Sequence, residues 1–140
     1  MEAELSADAF IARLEIVRRA EKEQSMAYRS LAALAEGRGD LELAQRFHDL
    51  HADEQHHLSR LTARILEFGG RPVDLEDVST PAAGLGDWQS YVRNREMNEI
   101  ERYTELLAMK LDDTTRSLIE DIAAVEAHHL ADLGGKWTMA

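Results

Sequence analysis

Leu50-His51-Ala52-Asp53-Glu54-Gln55-His56-His57-Leu58-Ser59-Arg60-Leu61 reads as the middle of a helix whose inward stripe is interrupted by polar residues. Leu43, Phe47, Leu50, Glu54, His57, Leu61, Arg64 and Phe68 recur at alternating steps of three and four, with Ile65 able to replace Arg64 as the stripe drifts. That spacing puts them on one helical face, the face that packs against neighbouring helices. Such a stripe should be apolar throughout, because a buried, unpaired carboxylate is costly or must take up a proton.

Three further segments repeat the pattern and the interruption. One carries Phe10, Leu14, Val17, Glu21, Gln24, Tyr28, Leu31 and Ala35; another Val92, Glu96, Glu99, Tyr103 and Leu106; the last Ile119, Ile122, Glu126, His129 and Leu133. Glu21, Glu54, Glu96 and Glu126 each have apolar residues on both sides, so all four fall near mid-height. Four carboxylates meeting in a dry core repel one another, and a cation must sit between them.

Glycine and proline lie between these segments. Gly37 and Gly39 mark one break; Gly69-Gly70, Pro72, Pro81, Gly84 and Gly86 mark a long second one; Gly134-Gly135 closes the last segment. The sequence therefore predicts an all-α chain, one domain over residues 1–140, with helices over about 6–36, 40–68, 87–111 and 113–133. Ser6, Asp40, Asp87 and Asp113 are the expected N-caps. The first and third connections are short and imply two antiparallel helical hairpins. The middle connection is long enough to cross the full height of a four-helix bundle, which makes helices two and three parallel.

Glu54-x-x-His57 and Glu126-x-x-His129 put a carboxylate and an imidazole one turn apart on one face, so that both reach a common ion. One glutamate from each of two helices plus Glu-x-x-His from each of the other two is the ligand pattern of two-metal carboxylate bundles. With four carboxylates, two imidazoles and no sulfur, the set suits iron or manganese. The halves also repeat weakly: Glu21 and Tyr28 followed by Glu54-x-x-His57 recur as Glu96 and Tyr103 followed by Glu126-x-x-His129.

Glu21…Tyr28, Glu54-Gln55-His56-His57, Glu96-Met97-Asn98-Glu99…Tyr103 and Glu126-Ala127-His128-His129 resemble the ferritin-like superfamily over nearly the whole chain. The resemblance is closest to its rubrerythrin branch, whose third helix carries an extra carboxylate at the position of Glu99. It implies a ferritin-like four-helix bundle with two iron ions (manganese is possible) bridged by Glu54 and Glu126. Glu21 and His57 would serve one ion and Glu96 and His129 the other, with Glu99 exchanging for His57 as the redox state changes. It makes Glu99, Tyr28 and Tyr103 the candidate catalytic residues, each tyrosine hydrogen-bonding a ligand carboxylate. The implied activity is reduction of hydrogen peroxide; the alternatives are a ferroxidase or iron-storage protein using dioxygen, and a di-iron hydroxylase of an organic substrate. A homodimer is the family expectation. Two departures stand out. Without cysteine there is no rubredoxin domain, so electrons must come from a separate donor, rubredoxin-like or a flavoprotein. The related symerythrin type would place a glutamate where this chain has Gln24.

Composition bounds the remainder. Hydrophobic residues make up 44% and charged residues 31%, the balance of a globular chain, and the absence of cysteine excludes disulfides, thiolate metal sites and thiol nucleophiles. A net charge of −11 argues against nucleic acid and favours cations. No apolar run is long enough to cross a membrane and the acidic N-terminus lacks the features of a secretory signal, so a cytoplasmic location is expected. His48, His56 and His128 read as surface residues, His51 as a flank that could line an entry path, and Asp53 equally as a histidine partner or a solvated acid. Trp88 and Trp137 read as packing residues, and Arg18-Arg19 and Arg93…Arg95 as solvated faces.

Overall fold

The computed structural model describes residues 6–81 and 83–133. Four α-helices account for most of them: α1 (Ala7–Gly37), α2 (Leu41–Glu67), α3 (Trp88–Leu107) and α4 (Asp113–Leu133). Trp137 and the Gly134-Gly135 break lie outside the described residues. No described helix is long and apolar enough to cross a membrane.

The helix ends follow from local chemistry. Ser6 accepts the Ala9 N–H and Asp40 the Leu43 N–H, each covering one of the donors that a first turn leaves unpaired. Arg38 and Phe68 close α1 and α2, and Gly39 (φ +76°) and Gly69 (φ +80°) follow them in the left-handed region. There the Gly39 and Asp40 N–H groups return to Glu36 and Ala35, and those of Gly69 and Gly70 to Leu66 and Ile65. This pair of backward bonds satisfies the last carbonyls of each helix.

Two expected boundaries are corrected. α3 ends at Leu107, not Leu111, because Arg116 donates to the Leu107 and Met109 carbonyls and Met109 and Leu111 turn back onto the core. Asp112, not Asp113, caps α4: one of its oxygens accepts the Thr115 N–H at 2.8 Å and the other the Thr115 hydroxyl at 2.8 Å. At the start of α3, Asp87 precedes the helix but makes no side-chain cap bond.

α1 pairs with α2 and α3 with α4, while α1 also packs on α3 and α2 on α4. Contacts along each pair run in opposite senses: Tyr28 meets Glu96 while Tyr103 meets Glu21, and Arg46 meets Asp132 while Arg64 meets Asp112. Neighbours are therefore antiparallel, and the parallel partners, α2 with α3 and α1 with α4, sit on the diagonals. The long connection makes this possible by climbing the α1–α2 face. Glu15 accepts the Val73 N–H at 2.7 Å, and Arg18 donates to the Val73 carbonyl at 2.9 Å and to the Thr62 hydroxyl at 2.8 Å. Arg18 is thus a buried clamp, not part of a solvated face.

The core falls into two apolar clusters with a polar layer between them. One gathers Tyr28, Leu31, Ala35, Leu43, Phe47, Leu50, Trp88, Val92 and Leu133, with Phe47 and Trp88 edge to face at 4.8 Å. The other gathers Phe10, Leu14, Val17, Leu61, Ile65, Tyr103, Leu106, Leu118, Ile119 and Ile122. Ile65, not Arg64, continues the α2 stripe. Because Asp112 closes the first turn of α4 and also holds Arg64 at 2.8 Å, Asp112→Ala should lower unfolding stability by about 1 kcal/mol. Asp113→Ala should cost less than about 0.5 kcal/mol, a contrast that urea denaturation will measure.

Candidate metal centre

Helical spacing alone aims the polar layer inward. Glu21, Gln24 and Tyr28 share a face of α1; Glu54 and His57 lie one turn apart on α2; Glu96, Glu99 and Tyr103 follow on α3; Glu126 and His129 lie one turn apart on α4. Glu21, Glu54, Glu96 and Glu126 are completely buried, and His57 and His129 are 2% and 3% exposed.

These side chains form two overlapping groups. Glu21, Glu54, His57 and Glu126 offer ligand atoms within 4.8 Å of one another, and so do Glu54, Glu96, Glu126 and His129. His57 Nδ1 lies 3.0 Å from Glu126 Oε1 and 3.6 Å from Glu21 Oε2. His129 Nδ1 lies 3.3 Å from Glu54 Oε1 and 3.5 Å from Glu96 Oε1. Glu54 and Glu126 belong to both groups and occupy the positions of shared ligands.

Polar atoms left without hydrogen bonds concentrate here. Both oxygens of Glu54 and of Glu126, one oxygen each of Glu21, Glu96 and Glu99, and Nδ1 of both histidines are buried without a hydrogen-bond partner. Each such atom costs roughly 1–3 kcal/mol, and more when charged. Hard carboxylate oxygens and imidazole nitrogens converging from four helices fit a pair of divalent ions, which would supply the missing partners of Glu21, Glu54, Glu96, Glu126 and both histidines at once.

The model of the Ferritin-like domain family matches residues 11–136. The chain belongs to the ferritin-like family. Solved structures of similar fold include a dodecameric thioferritin, a bacterioferritin-related protein of Bacteroides fragilis (25% identity, TM-score 0.81, 93% of this chain and 84% of that one). They also include the bacterioferritin of Desulfovibrio desulfuricans, whose diiron site is described in different catalytic states (23% identity, TM-score 0.83, 91% and 77%). A third is the bacterioferritin of Rhodobacter capsulatus, with a metal-free dinuclear site and a heme iron (21% identity, TM-score 0.82, 96% and 84%). No curated protein sequence matches the chain.

In this ferritin-like bundle the surroundings of the layer differ between its halves. The tyrosines cross over: Tyr28 of α1 donates to Glu96 of α3 at 2.7 Å, and Tyr103 of α3 donates to Glu21 of α1 at 2.5 Å. Burial, followed by the charge of Glu96 for Tyr28 and of Glu21 for Tyr103, pushes both phenols well above their ordinary range, so they remain neutral donors. Asp53 holds His129 Nε2 at 2.8 Å, leaving Nδ1 aimed at the carboxylates. His51 Nδ1 faces the Ser25 hydroxyl and carbonyl across the α1–α2 interface. His48, His56 and His128 are exposed.

Glu99 stands beside the two groups. It is buried at 3% exposure but belongs to neither four-residue group; its Oε1 accepts from Arg102 at 2.8 Å, the i,i+3 neighbour on its own helix. Arg95, expected in solvent, reaches inward and donates to Gln24 Oε1 at 2.7 Å, and Gln24 donates to Glu96 at 3.2 Å. The sequence held a partial signal for this pair, since Gln24 sits on the inward stripe of α1 and an amide there needs a partner.

Burial, then the charges of Glu21 and Glu126, raise the Glu54 carboxyl well above the usual range; burial and Glu21 do the same for Glu126. Burial, then Glu21, raise Glu99 to about 8 against the pull of Arg102. Burial also opposes charge on Glu96 and on His129. The neighbouring Glu126 carboxyl and His129 imidazole, with the Tyr28 hydrogen bond, nonetheless hold Glu96 below the usual range, and Glu96 and Asp53 hold His129 above it. An acid whose folded pKa is raised contributes stability that is complete below its unfolded value and is lost as pH rises through the folded one. Histidine with a raised pKa has the same sign. Metal-free protein should therefore lose thermal stability as pH rises from about 5 to about 8. Excess Mn(II) should suppress that loss, because metal binds the deprotonated ligands; melting curves across this range, with and without Mn(II), will check both outcomes.

Proposed function

We propose that this protein holds two iron ions in its polar layer and oxidises Fe(II) with dioxygen, as a ferroxidase-type member of its family. The observation that carries the reading is the pair of four-ligand groups sharing Glu54 and Glu126, since two ions side by side are what a two-electron oxidant requires. Its support among relatives is the likeness to bacterioferritins, one of them described with a diiron site.

Glu21 and His57 would serve one ion, Glu96 and His129 the other, with Glu54 and Glu126 bridging. Iron is here the substrate: each of two Fe(II) gives up one electron, and dioxygen, taking both with two protons, leaves as hydrogen peroxide. The protein holds the ligands in place before metal arrives. Tyr103 and Tyr28 fix one oxygen of Glu21 and of Glu96, which leaves the other oxygen of each free for an ion. The apolar clusters above and below keep bulk water out of the layer. Electrons come from the substrate itself, so a rubredoxin-like or flavoprotein donor belongs only to the peroxidase reading.

The rubrerythrin-type peroxidase implied by the resemblance rests on Glu99, and Glu99 is turned to Arg102, outside both groups. A hydroxylase needs an apolar bed beside the metals. The cavity that opens beside Glu99, about 170 Å³, is lined instead by Glu23, Gln24, Arg95, Asn98 and Arg102 along with Ala20. Whether oxidised iron is stored depends on a shell of many subunits, as in the dodecameric thioferritin; a dimer in solution would exclude such a shell.

Protein loaded anaerobically with two Fe(II) per chain should oxidise faster with dioxygen than with equimolar hydrogen peroxide in stopped-flow absorbance. Clearly faster reaction with peroxide would restore the peroxidase. Glu54→Ala and Glu126→Ala should each abolish two-metal binding while circular dichroism stays helical, and metal content equal to that of the unaltered protein would refute the assigned bridges.

A further inference from the structure

The layer repeats across a pseudo-two-fold axis, but the groups behind its ligands do not. On the Glu96–His129 side the two residues that belong to that side alone are both held from outside. Glu96 Oε1 accepts from Tyr28 at 2.7 Å and from Gln24 at 3.2 Å. Gln24, completely buried, cannot turn its amide over, because Arg95 Nε donates to its oxygen at 2.7 Å. Arg95 is in turn held by Glu23 at 3.8 Å and lies 5.7 Å from the centre of the Tyr91 ring. Asp53 fixes the His129 ring.

On the Glu21–His57 side the tyrosine is matched, but the amide behind the glutamate and the carboxylate behind the histidine are not. Glu21 accepts from Tyr103. The residue one turn after Glu96, matching Gln24 one turn after Glu21, is the carboxylate Glu99, which when ionised donates nothing and is engaged by Arg102. The residue before Glu126, matching Asp53 before Glu54, is Val125, which cannot accept a hydrogen bond from His57. Outer hydrogen bonds orient metal ligands and raise their basicity, and losing one typically costs about 10–100-fold in metal affinity.

We propose that Gln24 and Arg95 are positioning residues that make the two metal positions unequal: the Glu96–His129 position binds tightly, and the Glu21–His57 position is the weaker, exchangeable one. This rests on the two-metal reading above. Exchange at one position suits a protein whose metal is also its substrate, since one ion can leave and be replaced while the other keeps the ligands gathered.

The test is anaerobic calorimetric titration of the metal-free protein with Co(II), a metal that reports binding without turnover. Two steps are expected, separated by about tenfold or more in affinity. His129→Ala should remove the tighter step and His57→Ala the weaker. Gln24→Leu should weaken the tighter step about tenfold and leave the weaker within about twofold. Because Gln24 is buried, Arg95→Leu, at a partly exposed position, provides a second variant and should act on the same step. Two equivalent ions, or Gln24→Leu and Arg95→Leu variants that shift the weaker step, both steps alike or neither, would overturn the inequality. Failure to take up two Co(II) at all would overturn the two-metal reading itself, and the inequality with it.

Discussion

Mutual repulsion among four buried glutamates is the constraint around which this bundle is organised. Glu21, Glu54, Glu96 and Glu126 have no access to solvent, and a carboxylate in such surroundings must share a proton, a hydrogen bond or a cation. The chain distributes the burden unevenly. Tyr28, Tyr103 and Gln24 neutralise part of it with directed hydrogen bonds, while the remaining oxygens and two imidazole nitrogens are left facing one another. Apolar clusters flank this layer on either side.

Bundle connectivity turns that layer into a centre. Because the long connection climbs the α1–α2 face, pinned by Glu15 and Arg18, every pair of neighbouring helices is antiparallel and mid-height positions coincide on all four. The same arrangement explains why the tyrosines act across the molecule. Two turns after Glu21, Tyr28 has moved along α1 to the level of Glu96, and Tyr103 does the same in reverse.

Membership of the ferritin-like family follows from this architecture and from the match over residues 11–136, whereas the chemistry performed depends on what surrounds the ligands. In the function proposed above, reducing peroxide and oxidising ferrous iron are told apart by the placement of Glu99. Glu99 gives one oxygen to Arg102, which is nearly half exposed at the edge of the layer, while its other oxygen is buried without a hydrogen-bond partner. The two halves thus share a pattern of inward glutamates and histidine while differing in the residues that support it.

The sequence by itself determined the helices, the inward stripes and the four interrupting glutamates with their two histidines. These depend on periodic spacing and on helix-breaking residues, which act over one or two turns. Tertiary structure alone decided the end of α3, where Arg116 supplies partners to carbonyls in the preceding connection, and the cap of α4, where Asp112 outcompetes Asp113. It also decided that Arg18 and Arg95 point inward, that Asp53 finds His129 and that Glu99 turns aside. Periodicity specifies which face a residue occupies, but a long side chain at the edge of that face can reach several partners. Which one it takes depends on atoms contributed by other helices, and those are fixed only once the bundle has closed.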